Sequence, residues 1–244
     1  MKYGKINPNK LDYNWLSEWF IKFYKRSPWN EYKMCPRCKR PDDFGPEHTW
    51  GIKNYPEKCP ICQTRPVYFW SPERVEKYID QAVENGFLGY GAWDENDNLA
   101  GWILGYDLPE EKKEEIGIKN NDKYFYLDVI GILPQYRRGG RLAGAVQAAL
   151  AIIKVRFFLC RRTLLDRWIE RMGDASGSIT GHIYFKMIDL LCKNGYNGIA
   201  TRTHTKSSKI KKIAKIVNLK EGNLSSEDRE RRYYYLTFPK KGQK

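Results

Sequence analysis

The sequence predicts an α+β protein in two parts, a small cysteine-rich module followed by a larger domain in which helices and strands follow one another. Two observations carry this. Cys35, Cys38, Cys59 and Cys62 form two C-x-x-C pairs separated by twenty residues, in a stretch rich in Pro, Lys and Gly that lacks apolar periodicity. Beyond residue 66, runs with a 3.6-residue apolar period are interleaved with apolar runs of strand length.

Residues 11–25 place Leu11, Trp15, Trp19 or Phe20, and Phe23 at intervals of three and four, which predicts an amphipathic helix ending at Ser27-Pro28. Residues 28–66 then read as a ribbon in which metal bonds stand in for a hydrophobic core. Ser71-Pro72-Glu73 supplies an N-cap, a proline at the first helical position and an acidic first turn, so a helix begins there and stops at Gly86. Two apolar runs around Asp94-Glu-Asn-Asp-Asn98 predict a β-hairpin, and KYFYLDVIGIL predicts a third strand. That strand runs into the turn Pro134-Gln-Tyr-Arg-Arg-Gly-Gly140 and then into a helix rich in small residues. Residues 156–193 carry helical spacing in two pieces and read as a helical insertion. After them come a strand (GYNGIATRTHT), a basic helix (KSSKIKKIAKIVNL) and a last strand (RRYYYLTF). The expected domains are 1–66, the first helix and the cysteine module, and 67–244.

Hydrophobic residues at 41% and charged residues at 30% exclude a disordered chain. The formal charge of +14 favours anionic partners such as phosphates or nucleic acid. No apolar run approaches the roughly 20 residues that span a bilayer. The start MKYGKINPNK lacks the apolar stretch of a secretory signal. A cytoplasmic protein without a membrane partner is therefore expected, and in that compartment the paired cysteines read as metal ligands rather than disulfides. Cys160 and Cys192 remain over.

Two C-x-x-C turns present four thiolates tetrahedrally, so Cys35, Cys38, Cys59 and Cys62 are expected to bind Zn²⁺, with iron as the alternative. Four thiolates close the coordination sphere. The metal is accordingly expected to be structural.

Arg137, Arg138, Gly139, Gly140 and Arg141 open a helix directly after a strand. Backbone N–H groups at a helix N-terminus, glycines that permit close approach and three guanidinium groups make a cradle for a pyrophosphate. This strand, basic turn and helix, together with the order of elements around it, resembles the GNAT superfamily of acyl-CoA-dependent N-acyltransferases over roughly residues 66–244. Ile132-Leu-Pro134, Gln135, Tyr136 and Arg137 match that family's approach to the turn, and Gly140 falls on its first glycine. Leu142 stands where the family carries a second small residue, with Ala143 next to it.

The resemblance implies a mixed, mainly antiparallel sheet flanked by helices, with acetyl-CoA as co-substrate and an amine as acceptor. It implies that the Ile130 to Ile132 backbone pairs with the pantetheine amides, that the Ile132 N–H polarises the thioester, and that the turn from Arg137 to Ala143, Leu142 included, holds the pyrophosphate. Direct attack by the amine needs a base. Asp128, four residues before Ile132 and so on the same strand face by alternation, is the first candidate. His204 is the second. The family's general-acid tyrosine has no counterpart in KSSKIKKIAKIVNL. The rival reading is a zinc-ribbon nucleic-acid-binding protein with a degenerate acyltransferase fold, suggested by the basic residues of that helix and of the insertion.

Overall fold

The structure, a computed structural model, describes residues 1–38, 49–119, 121–136, 179–207, 219–226 and 230–238. The chain opens with β1 (Lys2–Lys5) and helix α1 (Tyr13–Tyr24). Asp12 caps α1 by accepting a hydrogen bond from the Trp15 N–H at 3.1 Å. The buried side of α1 carries Leu16, Trp19 and Phe20. Three two-residue strands, β2 (Lys33–Met34), β3 (Thr49–Trp50) and β4 (Val67–Tyr68), form a small antiparallel sheet in the order β3-β2-β4.

Helix α2 (Pro72–Glu84) begins where the sequence places it. The Ser71 side chain accepts from the Arg74 N–H, Pro72 occupies the first turn, and Gly86 ends the segment at φ +77°. The hairpin is β5 (Leu88–Trp93) and β6 (Leu99–Asp107), and its turn is held by Asp94, which accepts from the N–H groups of Asn96 and Asn98. A short helix, α3 (Glu110–Ile116), leads to β7 (Tyr124–Ile132). The later described elements are α4 (Ile179–Lys193), β8 (Gly198–His204), β9 (Lys220–Leu224) and β10 (Arg231–Thr237).

Seven strands form the main sheet in the order β1-β5-β6-β7-β8-β10-β9. Every pair is antiparallel except β7 with β8, which is parallel. The expected class, a mixed, mainly antiparallel sheet flanked by helices, is the one observed. On one face α4 lays Ile183, Met187 and Leu191 against Ile103, Phe125 and Ile132. The segment read from the sequence as the second half of an insertion thus covers the sheet, because its apolar face meets β5, β6 and β7. On the other face α1 and α2 pack Trp19, Phe20, Val75 and Ile79 onto Trp102, Leu104 and Val129. Residues 2–24, grouped by the sequence with the cysteine module, belong to this main body, since β1 pairs with β5 and α1 covers the sheet.

Strand β7 is irregular at one residue. Gly105 faces Leu127 and Leu104 faces Val129, so Asp128 is an extra residue with no opposite number on β6. Gly105 permits the bulge, since a Cβ there would run into the Tyr126 carbonyl.

Candidate active-site cavity and four-cysteine cluster

The bulge decides which way β7 points its side chains. Phe125 and Ile132 belong to the core under α4, and Leu127 packs against it, whereas Tyr126 and Val129 belong to clusters on the opposite face. Asp128 lines a cavity on that second face together with Tyr126 and Val129. The expectation that Asp128 shares a face with Ile132 therefore fails, because one extra residue breaks the two-residue alternation. Distance separates them too. Four residues of strand span about 13 Å, so an Ile132 N–H cannot polarise a carbonyl whose attacking amine gives its proton to Asp128.

The bulge also coincides with the parting of β7 and β8. Their pairing runs from Tyr124↔Gly198 to Leu127↔Thr201 and goes no further, although β7 continues to Ile132 and β8 to His204. Residues 128–132 thus leave β8 behind, and Ile130 is 38% exposed. At the end of β7 the Tyr136 hydroxyl donates to Asp94 at 2.6 Å, which ties the approach to the basic turn onto the hairpin. The turn itself, Arg137, Arg138, Gly139, Gly140, Arg141, Leu142 and Ala143, lies outside the described residues, as does most of the basic helix after β8.

The cavity measures about 500 Å³. Its floor is the sheet, with Tyr126, Asp128, Arg202, Arg231 and Tyr233 facing in. Its roof comes from α1, α2 and the flanks of the cysteine module, through Phe20, Tyr24, Trp29, Phe69, Trp70 and Tyr78. The roof rings pack edge to face, with centroids 4.8 Å apart for Phe20 and Trp70 and 5.8 Å for Trp70 and Tyr78. Such contacts make a stiff apolar wall.

Asp128 accepts a hydrogen bond from the Tyr78 hydroxyl at 2.6 Å. Burial raises its pKa above the ordinary carboxylate value, against the opposing pull of that hydroxyl and of Arg202 and Arg231. Burial and the nearby Asp128 charge hold the Tyr78 phenol well above its usual pKa, so it stays a donor. A carboxylate moved toward neutrality in an aromatic cavity has the chemistry of a general base.

His204 is placed otherwise. Its side chain is buried, it does not line the cavity, and its ring meets Trp29 edge to face. Its Nδ1 accepts from the Lys206 backbone N–H at 3.1 Å, which leaves the proton on Nε2, and Nε2 lies 3.1 Å from Glu230. Both ring nitrogens are thus engaged in holding the end of β8.

Sequence reasoning missed Glu31, Tyr78 and Arg202. Glu31 is 6% exposed and bridges the module to the sheet, accepting from Trp70 Nε1 at 2.9 Å and pairing with Arg231 of β10. Its only signal was an acidic residue at the edge of an aromatic stretch. Removing the carboxylate takes a buried partner from both Trp70 and Arg231, so Glu31→Ala should destabilise the fold by about 3 kcal/mol. A thermal melt checks this, and Glu31→Gln, which keeps an acceptor for Trp70, should lose less.

The cysteines meet at the small sheet. Their four Sγ atoms all lie within 4.8 Å of one another, with Cys35 and Cys62 3.4 Å apart. A tetrahedral metal with bonds of about 2.3 Å needs sulfurs about 3.8 Å apart. The Cys38 N–H points at the Cys35 sulfur at 3.4 Å, the donor geometry that stabilises a thiolate. The donor set and the spacing fit a closed four-thiolate site.

No protein-family model matches the chain, and no curated protein matches its sequence. Among solved structures it is similar to NAA60 of Arabidopsis thaliana in complex with acetyl-CoA, at 9% identity and TM-score 0.45, covering 97% of each chain. A PaiA N-acetyltransferase of Thermoplasma acidophilum in complex with coenzyme A gives 12% identity and TM-score 0.42, covering 98% of this chain and 100% of that one. A variant of the spermidine N-acetyltransferase SpeG of Vibrio cholerae gives 9% and 0.39, covering 97% and 95%. These solved structures are N-acetyltransferases. At such identities and scores the likenesses carry no argument about activity. Among the described residues no helix is long and apolar enough to cross a membrane.

Proposed function

We propose that this protein is an acyl-CoA-dependent N-acyltransferase that passes an acetyl group from acetyl-CoA to a primary amine. The observation that supports this best is the bulge at Asp128, where β7 leaves β8 and a carboxylate enters an aromatic cavity. A strand edge released from its neighbour offers backbone groups to an extended ligand, as the pantetheine arm requires. Residues 130–132 take that role in this reading, and the turn 137–143 takes the pyrophosphate.

The reacting thioester then belongs at the bulge. A bulge leaves its extra residue out of the regular ladder, so the backbone N–H at residues 128–129 replaces that of Ile132 as the donor to the thioester oxygen. The amine nitrogen attacks the carbonyl carbon, the new C–N bond forms, and the C–S bond breaks. Asp128 takes the amine proton, directly or through a water, and Tyr78 holds the carboxylate in place. The departing thiolate takes its proton from water.

In the same reading Cys35, Cys38, Cys59 and Cys62 hold a zinc ion that supplies cross-links to a module too small for a core. It has no open position for substrate. The acyl transfer is tested by incubating the protein with acetyl-CoA and panels of amines, peptides and RNA, and reading acetylated products by mass spectrometry. The expected result is acetylation of an amine class in proportion to enzyme. Transfer to none of the panels, with acetyl-CoA recovered intact, would sink the proposal.

A further inference from the structure

The small sheet of the cysteine module carries a face of rings around a lysine. Lys33 on β2 stands directly opposite Trp50 on β3 and Tyr68 on β4, so the three side chains share a face. Beside them Tyr32 is the common neighbour of Tyr55 and Tyr68, with ring centroids 5.2 and 5.5 Å away and planes inclined at 67° and 75°. The Lys33 ammonium lies 3.3 Å from the centre of the Tyr68 ring and 5.6 Å from that of Tyr32. Tyr55 and Tyr68 each remain 45% exposed.

This face is not a wall of the cavity. Phe69, the residue after Tyr68, is buried and lines the cavity, and alternation sends Tyr68 the other way. Val67, the exposed aliphatic residue of β4, also points away from Tyr68. What stands beside Tyr68 is therefore aromatic and cationic. Lysine is depleted from the cores of protein interfaces, so its place among these rings favours an anionic ligand over a protein partner. Charge in the sequence points the same way. Lys53, Lys58 and Arg65 are exposed on the segment that carries Tyr55 and Tyr68, and its one acid between residues 49 and 68 is Glu57. Exposed rings offer stacking to flat bases, and a cation among them offers a partner to phosphate. In a duplex the faces of the bases are covered by their neighbours. Only a single strand can use the rings.

We propose that this face binds a single-stranded polynucleotide, with bases stacked on Tyr55 and Tyr68 and a phosphate at Lys33. The site is separate in sequence from the basic helix after β8, and it does not depend on acyl transfer in the cavity.

The test uses the full chain as purified and the fluorescence anisotropy of three labelled probes: an oligouridine, an oligothymidine and a duplex, all of the same length. At least one single strand should bind about tenfold or more tighter than the duplex, and the tighter of the two identifies the natural partner as RNA or DNA. Tyr55→Ala and Tyr68→Ala should each weaken single-strand binding about five- to a hundredfold, the range for one stacked base, and leave duplex binding unchanged. Tyr68→Phe keeps the ring and should bind as the wild type does. Lys33→Gln should make the slope of log affinity against log salt shallower by about 0.7, the share of one phosphate contact to a single strand. Crosslinking of a 4-thiouridine oligonucleotide to the wild type, mapped by mass spectrometry, needs no variant and should mark the peptides carrying Tyr32, Tyr55 or Tyr68.

Duplex binding as tight as that of both single strands overturns the proposal, because a general basic surface behaves in that way. So does the absence of binding to any probe. Crosslinks confined to residues outside the module, or a Tyr55→Ala/Tyr68→Ala double variant that holds single strands as the wild type does, overturn it too. Alanine variants that lose single strands and duplex alike would make the tyrosines supports of the module rather than a stacking surface, and that result also overturns it.

Discussion

Replacing Asp128 by Asn should lower kcat for acetyl transfer by about 10²- to 10⁴-fold, the usual contribution of a general base, while acetyl-CoA binds as before. The amide preserves the shape of the side chain and an acceptor for the Tyr78 hydroxyl, so only the proton-accepting role is lost. Steady-state kinetics beside a binding isotherm separates this from misfolding. A fall in kcat together with lost acetyl-CoA binding would mean that Asp128 shapes the cavity rather than acts in it.

The pH dependence follows from the same burial. A base must be ionised, and burial raises the Asp128 pKa, so the acid limb of kcat/KM should lie above the ordinary carboxylate range. The Tyr78 hydrogen bond lowers that pKa, and Tyr78→Phe should move the limb to still higher pH. The sign for stability is opposite to that of a salt-bridged acid. A carboxyl whose folded pKa is raised contributes stability that is full below its unfolded value and is lost as pH rises through the folded one. Asp128→Asn should therefore melt higher than the wild type at neutral pH, and a lower melting temperature would count against a desolvated carboxylate.

Removing the zinc proposed for the four cysteines should have the largest effect on the fold. The purified protein is expected to carry one zinc per chain by elemental analysis, and a strong chelator or Cys59→Ser should unfold residues 28–66. Structural zinc supplies about 10–16 kcal/mol in peptides that fold around it, and the small sheet has only two-residue strands to replace it. The damage should reach the acceptor side of the cavity. Trp29, Glu31, Phe69 and Trp70 line the cavity at the borders of this module, and Glu31 ties it to Arg231. Chelation should thus raise the acceptor KM about tenfold or more, as expected when a wall of rings and a buried ion pair are lost. Acetyl-CoA affinity, which the proposed function assigns to β7 and its turn, should change little. A colourless protein with stoichiometric zinc separates this site from iron, and a melting curve indifferent to chelator would contradict the structural role.

The parts of the fold legible in the sequence were those with local causes. The Ser71-Pro72 cap, the Asp94 turn and the two C-x-x-C pairs each act within a few residues, and each lies where the sequence puts it. Strands β1 and β9 escaped because four or five residues of mixed polarity carry no period. The bulge escaped for another reason. Tyr124 to Ile132 is apolar at almost every position because both faces of β7 are covered, so the side-chain pattern does not register an extra residue.

The site was legible in one residue and hidden in the rest. Asp128 stood out as an acid in an apolar strand. Tyr78 sits on the apolar stripe of α2 with Val75, Ile79 and Ala82, where a tyrosine reads as core. Arg202 and His204 share a strand face, and only the surroundings distinguish them. Trp29, Glu230 and the Lys206 N–H enclose the histidine, while the arginine faces the cavity.

Binding of an acyl-CoA by β7 and the turn after it is read out by a calorimetric titration with acetyl-CoA. One saturable site per chain is predicted for the wild type, lost when Arg138→Glu and Gly140→Glu place two carboxylates against the pyrophosphate. No binding to the wild type, or equal binding to the double variant, would mean that β7 and its turn do not hold an acyl-CoA.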